Sequence, residues 1–233
     1  MRREALRMRV RVWDLPTRLF HWLLAATVAG AWFTGDTGGN WLIWHGRIGL
    51  FIIGLVSFRL AWGMMGSTYA RFATFFPTPV RLLTYLSGRW HGLGHNPLGA
   101  LSVFGLLLLV GTQAGSGLWA QNDDTGYAGP LYALAGARTG ELSTWLHHQV
   151  LDLLLPLVAL HIGAIFFYLV VRRKNLVGPM ITGNQENMTG QPARGGGPAR
   201  LLLALTLAAI ATWGASGSWY APPPQPAAET PAW

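Results

Sequence analysis

Histidines are the residues of this sequence best suited to metal or redox chemistry. The chain contains no cysteine, which excludes thiolate ligands, disulfides and redox dithiols and leaves imidazole as the principal metal ligand. Histidines lie within or at the ends of apolar stretches at four places: His21, His45, His147 or His148, and His161. An ionisable side chain in such a stretch is costly unless it has a partner. One such histidine could simply hydrogen-bond a neighbouring helix, but four at coordinated depths indicate bound cofactors.

The spacing of the histidines in the fourth apolar stretch suggests where those cofactors lie. His147 and His161 are 14 residues apart, so on a helix both project from one face, roughly 21 Å apart along the axis. His148 would point about 140° away from His161, although a kink at Pro156 could rotate the outer half of the helix. His147 is therefore preferred and His148 stays open. Two imidazoles separated by most of the hydrocarbon thickness fit two stacked cofactors, one near each membrane surface.

The composition of the chain indicates a membrane protein. Hydrophobic residues make up 51% of its 233 residues and charged residues 11%, where a soluble domain carries about 25%. The excess of basic residues, with a formal net charge of +8, falls in blocks between apolar runs. Such blocks set the orientation of a multi-pass membrane protein, whereas nucleic-acid binding requires a continuous basic stripe.

Five apolar stretches are long enough to cross a bilayer as helices, at about 20 residues each. We predict spans at 16–33, 41–65, 97–119, 144–171 and 201–219. Arginines cluster before the first span, between the second and third, and between the fourth and fifth. Because basic residues stay on the cytoplasmic side, we expect a cytoplasmic N-terminus and a C-terminus on the opposite side.

These spans divide the chain into five segments. We predict a basic cytoplasmic N-terminus, a four-helix core, a cytoplasmic linker rich in glycine and proline, a fifth transmembrane helix and a proline-rich external tail. In the same order, the predicted segments are 1–15, 16–183, 184–200, 201–219 and 220–233.

The topology pairs histidines from different helices at matching depths. His45 enters the second span from the outside, at the level of His147, and His21 lies about a turn into the first span, near the level of His161. Zinc or copper would usually draw three or four ligands to one place, but only two converge at each of these. Two axial histidines are what a haem requires, because the porphyrin supplies four nitrogens. Such iron has no open position, which favours electron transfer, and we predict no catalytic residue.

Several residues near the histidines could contact the haem itself. Arg18 and Arg59 are candidate partners for the anionic propionates, with a topological anchor as the alternative for Arg18. Small residues on the second span could let a macrocycle approach, and Gly49, one turn from His45, is the best placed. His95 could meet a propionate or a quinone head group, or could be an interfacial cap, and the cap is slightly preferred.

Several short motifs follow one another between about residues 10 and 183. They are Val12-Trp-Asp-Leu-Pro-Thr-Arg-Leu-Phe-His-Trp22, Trp44-His45 through Arg59-Leu-Ala-Trp-Gly63, Gly66 to Phe72, Gly94-His-Asn-Pro-Leu-Gly-Ala100, Leu160-His161 and Met180-Ile-Thr-Gly183. In their order and spacing they resemble the motifs of the bacterial cytochrome b561 family, which includes the b-type cytochrome subunit of nickel–iron hydrogenases. The predicted fifth helix and the tail lie outside this shared core.

The resemblance implies an all-α integral membrane protein of the bacterial inner membrane. It implies a four-helix bundle that binds two b haems through His21, His45, His161 and one histidine of the fourth span. It also implies a respiratory role in which electrons pass between the quinone pool and a periplasmic redox partner, such as a c-type cytochrome or an oxidoreductase subunit.

Three functions fit these expectations to different degrees. We expect an electron-transfer subunit, with two haem b groups and with quinone as a further ligand, and we expect no nucleic-acid partner. One alternative is a stand-alone quinone reductase that uses superoxide or another small donor, although the sequence offers no substrate pocket or general base for it. The other is a haem-free membrane anchor whose histidines only pair helices.

Overall fold

The computed structural model describes residues 9–186 and 190–220 and is mostly helical. Its helices are α1 Leu15–Thr37, α2 Trp41–Met65, α3 Phe72–Phe75, α4 Pro79–Leu86, α5 Pro97–Gly117, α6 Ala137–Val170, α7 Val177–Thr182 and α8 Pro198–Ala215. Its strands are β1 Arg9–Arg11, β2 Gln121–Asn122, β3 Tyr127–Ala128 and β4 Asn184–Glu186. The first eight residues and the predicted tail beyond Tyr220 lie outside the described residues.

Four of these helices, α2, α5, α6 and α8, are long and apolar enough to cross a membrane. The prediction of an all-α integral membrane protein is therefore confirmed. Helix α1 has 23 residues at the place predicted for the first span, but among the described helices it is not one of those apolar enough by this criterion. The described helices thus include four candidate spans where five were predicted, and the span left unconfirmed is the first, 16–33.

Helix boundaries follow from capping residues and differ in places from the predicted ones. The side chain of Asn96 accepts a hydrogen bond from the backbone N–H of Gly99 at 2.7 Å, and Pro97 opens α5, as predicted. Helix α1 continues to Thr37, four residues beyond the predicted span, so only residues 38–40 connect it to α2, beginning with Gly38 at a positive φ of 67°. Helix α6 begins at Ala137, seven residues before the prediction, and continues through Pro156.

Helix α2 lies at the centre of the bundle and packs against α1, α5 and α8, while α5 also packs along α6. Its residues Ile52 and Val56 pack with Val110 of α5 and Leu154 of α6 in one buried cluster. On another side Gly54 lets α8 approach closely, because a Cβ atom there would lie 2.6 Å from the Thr212 hydroxyl. Contact of this kind, and not burial from water, holds helices together in lipid.

The two ends of the helix bundle are covered by different short segments of the chain. At the end where basic residues cluster, called the basic end below, β1 pairs with β4 in an antiparallel ladder. The described part of the predicted linker is also held there, since the Thr68 N–H donates to the carbonyl of Arg194 at 2.9 Å and the Tyr69 hydroxyl donates to that of Gln191 at 2.7 Å. At the opposite end, called the outer end, the short hairpin of β2 and β3 lies between α5 and α6.

Candidate functional site

The structure brings His45 of α2 and His147 of α6 together at the outer end. Their ring centres are 5.9 Å apart and the ring planes are nearly perpendicular, at 85°. Imidazole nitrogens bind metal ions at about 2.0–2.1 Å, so ring centres on opposite sides of one metal ion lie roughly 6 Å apart. The distance between the two ring centres therefore matches that of two imidazoles that share one metal ion.

Backbone carbonyls orient both of these rings. The Nδ1 atom of His45 hydrogen-bonds the carbonyl of Ala31 at 2.8 Å, and that of His147 hydrogen-bonds the carbonyl of Gln113 at 2.9 Å. A carbonyl only accepts, so each Nδ1 carries the proton and donates. The Nε2 atom of each neutral ring is consequently left with its lone pair, the state in which histidine ligates a metal.

Two glycines that the sequence reasoning did not single out allow these rings to lie against neighbouring helices. A Cβ atom at Gly35 would be 2.9 Å from Nδ1 of His45, and one at Gly117 would be 3.0 Å from Cε1 of His147. A larger residue at either position would require the imidazole or its neighbours to shift. Glycines are common in membrane helices, so their identity alone gave no signal.

The outer pair lines a cavity of about 460 Å³ enclosed by α1, α2, α5 and α6. Gly49 also lines it, and a Cβ atom on Gly49 would have no neighbour within 4 Å. At two other glycines of α2 the space beside the backbone is filled, by the Tyr127 side chain at Gly46 and by α8 at Gly54. Gly49 is therefore the helix α2 glycine that faces open space beside the outer histidines.

Tyr127 of β3 lines the outer cavity, a position the sequence did not indicate. Its hydroxyl lies so close to Gly46 that no Cβ atom could be added there. Burial raises the pKa of the Tyr127 hydroxyl, with a smaller opposing effect from the Arg47 guanidinium, so the group is neutral at physiological pH. Tyr127 therefore adds a polar but uncharged group to the cavity that the outer histidines line.

His148 also lines the outer cavity but lies apart from the pair. Its side chain is exposed, and its ring centre is 6.4 Å from that of His147. The described contacts of His147 with α2 and α5 are not shared by His148. The geometry thus agrees with the helical-face argument that preferred His147.

A second histidine pair lies at the basic end and is less tightly held. His21 and His161 are near enough to interact electrostatically, but within the described residues their rings make no direct contact. The Nδ1 atom of His161 hydrogen-bonds the Ser102 hydroxyl of α5 at 3.1 Å. The Nδ1 atom of His21 is buried and has no hydrogen-bond partner in the described part of the chain.

Two serines of α5 match the two histidines of α6 in register. Ser116 lies 3.3 Å from Nδ1 of His147, just as Ser102 lies 3.1 Å from Nδ1 of His161. The serines are 14 residues apart and so are the histidines, as two antiparallel helices in contact require. This shared spacing is a signal from which sequence reasoning could have found the serines, and it did not.

His95 lies beside the inner pair as a buried, neutral group. Burial lowers the pKa of its imidazole to about 3, with smaller contributions from the positive charge of Arg59 and from His21 and His161. Its ring centre is 4.5 Å from that of Trp13 and 4.4 Å from that of Phe75. Its Nδ1 atom is buried without a hydrogen-bond partner among the described residues. The cap of α5 is Asn96, so the cap preferred for His95 is not its role.

The two arginines predicted to meet propionates both lie at the basic end. Arg59 is 2% exposed, donates to the carbonyl of Ala70 at 3.0 Å and stacks on Phe72 at 4.5 Å. Arg18 donates through Nη1 to the carbonyl of Ile181, while its buried Nε has no partner among the described residues. Each guanidinium therefore retains N–H donors beyond those that the protein uses.

The chemistry of these donors fits a haem at each pair. No group of three or more histidine or acidic side chains that could hold a free metal ion occurs among residues 9–186 and 190–220. The structure instead brings the histidines together in twos, and the two members of each pair lie on different helices. This donor count suits a metal whose remaining ligands come from a macrocycle.

Comparison with known proteins gives a consistent result. The family model described as prokaryotic cytochrome b561 matches residues 12–183. Two relatives, each described as a probable Ni/Fe-hydrogenase B-type cytochrome subunit, come from Azotobacter chroococcum mcd 1 and Azotobacter vinelandii. Each is 25% identical over 217 aligned residues, which cover 75% of this chain and 87% of the relative. No solved structure matches the chain significantly.

Proposed function

This chain belongs to the prokaryotic cytochrome b561 family, and on that premise we propose that it carries electrons between the quinone pool and a redox partner on the periplasmic side of the bacterial inner membrane. Membership supports the coarser statement directly: the chain is a multi-pass membrane b-type cytochrome that binds haem b and transfers electrons. We propose in addition the number of haems, the use of quinone and the kind of redox partner.

The observation that carries the proposal is the outer histidine pair. His45 and His147 come from different helices, their ring centres are 5.9 Å apart, and each Nδ1 donates to a backbone carbonyl. Both of these hydrogen bonds to neighbouring helices use Nδ1, so the Nε2 atom of each ring stays available as a ligand. We assign His45 and His147 as the residues that would hold an outer haem, and the open space beside Gly49 would leave room for the macrocycle.

We assign His21 and His161 as the residues that would hold an inner haem. Buried nitrogens without partners at His21, His95 and Arg18 all lie at this end, and a buried polar atom is costly unless a ligand satisfies it. Arg18 and Arg59 are the candidate propionate partners because both retain free N–H donors. His95 is assigned to the same surroundings, as a neutral donor or acceptor beside the inner haem.

When bound, a b haem would supply reversible one-electron chemistry. The part of the protein would be to hold and orient it. The carbonyls of Ala31 and Gln113 orient the two outer rings, and the uncharged Tyr127 side chain lines the same cavity. The 14-residue separation of His147 and His161 places the two sites roughly 21 Å apart along α6, near opposite surfaces.

Two features support a periplasmic partner. The relatives from Azotobacter are described as subunits of a Ni/Fe hydrogenase, so a redox enzyme or a c-type cytochrome is the kind of partner we propose for this chain. The basic end carries most of the arginines, which supports its cytoplasmic placement and leaves the outer pair on the periplasmic side.

Haem stoichiometry tests the proposal. The full-length protein is purified in a mild detergent, and haem b is quantified against protein while the reduced spectrum is recorded. We expect two low-spin b haems per chain, both reduced by a short-chain quinol and reoxidised faster when a c-type cytochrome is added. A chain without haem would refute the assignment of both pairs, and one haem per chain would refute the inner or the outer site.

A further inference from the structure

A second cavity, of about 930 Å³, lies at the basic end, and none of the four paired histidines lines it. It is formed by α4, the loop that follows it and the C-terminal end of α6. We propose that this cavity binds the phosphate-bearing head group of an anionic phospholipid. The proposal does not depend on the haem assignments.

The cavity presents two cations that have no counter-charge. Arg172 and Lys174 line it, and no described lining residue is a carboxylate. Neither side chain makes a hydrogen bond or ion pair with another described residue. Arg173 between them has a left-handed backbone, with φ of 50°, and does not line the cavity. The chain thus turns sharply where α6 ends and directs alternate cations into one space.

Aromatic and hydroxyl groups form the remaining walls of the cavity. The hydroxyls of Tyr85 and Tyr168 hydrogen-bond each other, which joins α4 to α6 beside the cations. The Trp90 indole lies over Gly92, where a Cβ atom would be 2.4 Å from the ring. Tyrosine and tryptophan beside lysine and arginine are the usual surroundings of a lipid head group at a membrane surface.

Helix α4 provides a place for the acyl chains next to this cavity. Val80, Leu83 and Leu86 are spaced along one helix face and are 73%, 66% and 64% exposed. Arg81 lies off this face and donates to the carbonyls of Thr74 and Phe76. A short helix with one exposed apolar face and one polar face lies in the membrane interface. A lipid seated here would place its phosphate by Arg172 and Lys174 and its chains along α4.

The positive charge of the cavity favours an anionic phospholipid over a neutral ligand. A quinone head group carries no charge, so it would leave both cations without a partner in a cavity that has no carboxylate among its described lining. A phosphate diester carries one negative charge on two unesterified oxygens, so it can accept hydrogen bonds from both cations and from the one tyrosine hydroxyl that does not donate to the other.

The test measures binding of phosphatidylglycerol and phosphatidylcholine to the full-length, haem-loaded protein by native mass spectrometry and by thermal midpoint. We expect phosphatidylglycerol to bind selectively and to raise the midpoint. The variant R172Q/K174Q should bind it more weakly, by about five-fold for each cation removed. R172K/K174R keeps both charges and should stay within about two-fold of the unchanged protein by the same reasoning.

The matched control is R89Q/R173Q, which removes two charges from the same end of the molecule at positions that do not line the cavity. It should retain the selectivity for phosphatidylglycerol. Equal loss in both double variants would overturn the proposal, as would unchanged binding by R172Q/K174Q. All variants must keep the haem spectrum of the unchanged protein.

Two further arms identify the ligand's source. Inorganic phosphate at the same concentration should neither raise the midpoint nor displace the lipid, and full displacement by phosphate would show that the cavity takes a soluble anion. Displacement of phosphatidylglycerol by a short-chain ubiquinone would instead identify a quinone site and overturn the proposal.

Discussion

The outer and inner histidine pairs are built in different ways although they share one helix. At the outer pair, His45 and His147 are in ring contact and each Nδ1 donates to a main-chain carbonyl. At the inner pair, only His161 has a hydrogen-bond partner, a serine hydroxyl, while Nδ1 of His21 is buried without one among the described residues. The outer site is therefore set by the backbone and the inner site by side chains.

This difference has a physical consequence for how each site tolerates change. A carbonyl within a helix is fixed by the helix itself, so the outer rings are oriented before any ligand binds. A serine hydroxyl rotates, and buried nitrogens without partners gain most when a polar ligand group arrives. We infer that the outer pair is pre-organised and that the inner pair gains more of its order from its ligand.

Removal of a ligand should have the largest effect and should separate the two pairs. His45→Ala and His147→Ala should each abolish the same haem, and His21→Ala and His161→Ala the other, because we propose that each haem is shared between two helices. Haem content should fall from two to one per chain in every case, and redox titration identifies the haem that remains.

His148→Ala is the matched control for these variants, because it is adjacent to His147, lines the same cavity and is exposed. It should retain two haems. Loss of the outer haem in His148→Ala, with retention in His147→Ala, would contradict the assignment of His147.

Crowding the outer rings should have the next largest effect. Gly117→Ala places a Cβ atom 3.0 Å from His147, so the ring must shift, and we expect this shift to weaken its hydrogen bond to the Gln113 carbonyl. Loss of a ligand-orienting contact typically weakens metal binding about 10- to 100-fold, so outer haem occupancy should fall while the inner haem stays. Competition with apomyoglobin as a haem acceptor measures the affinity of each site.

Gly115→Ala provides the comparison on the same helix, because a Cβ atom there has no neighbour within 4 Å. This variant should keep the outer haem and gain helix stability of about 1 kcal/mol or less. If Gly115→Ala and Gly117→Ala released haem equally, general disturbance of α5 and not contact with His147 would be responsible.

Exchange of the serine at the inner pair should have a smaller effect. Ser102→Ala removes the hydrogen bond to Nδ1 of His161 but leaves the ring free to ligate, so we expect inner haem affinity to fall about 10-fold. Ser116→Ala is the counterpart at the outer pair, where the Gln113 carbonyl still holds His147 at 2.9 Å. It should change outer haem affinity less than Ser102→Ala changes inner affinity, and the reverse order would contradict the distinction between the two pairs.

The sequence predicts those features that depend on residue type or on the length of an apolar stretch. The length of the apolar stretches predicts the positions of the long helices, and the Asn96-Pro97 pair predicts the start of α5. The same-face relation of His147 and His161 follows from helical periodicity, and both rings do contact α5. Pro156 lies between the two histidines, but it does not rotate the helix enough to prevent either contact.

Features that depend on the backbone or on distant partners were not accessible. The carbonyls of Ala31 and Gln113 orient the outer rings, yet every residue has a carbonyl, so no residue type marks them. Gly35 and Gly117 matter only because an imidazole lies against them. The strands β1 and β4 pair across more than 170 residues, and segments of three residues give no local signal of such pairing.

The smallest predicted effect is on the pH dependence of stability, and it concerns His95 beside the inner pair. In the folded protein burial lowers the pKa of His95 to about 3, whereas an unfolded histidine titrates near 6.5. Between these values the unfolded chain binds the extra proton, so His95 makes stability fall as the pH is lowered below 6.5, by at most about 1.4 kcal/mol per pH unit.

His95→Phe should flatten this dependence, because an aromatic ring still fits between Trp13 and Phe75 and has no proton to bind. Thermal midpoints of both proteins between pH 7.5 and 5 measure the difference, in which contributions from the ligand histidines cancel. Parallel profiles would mean that His95 is charged, or solvated, in the folded protein, and the inner site would then resemble the outer one in having its polar atoms satisfied.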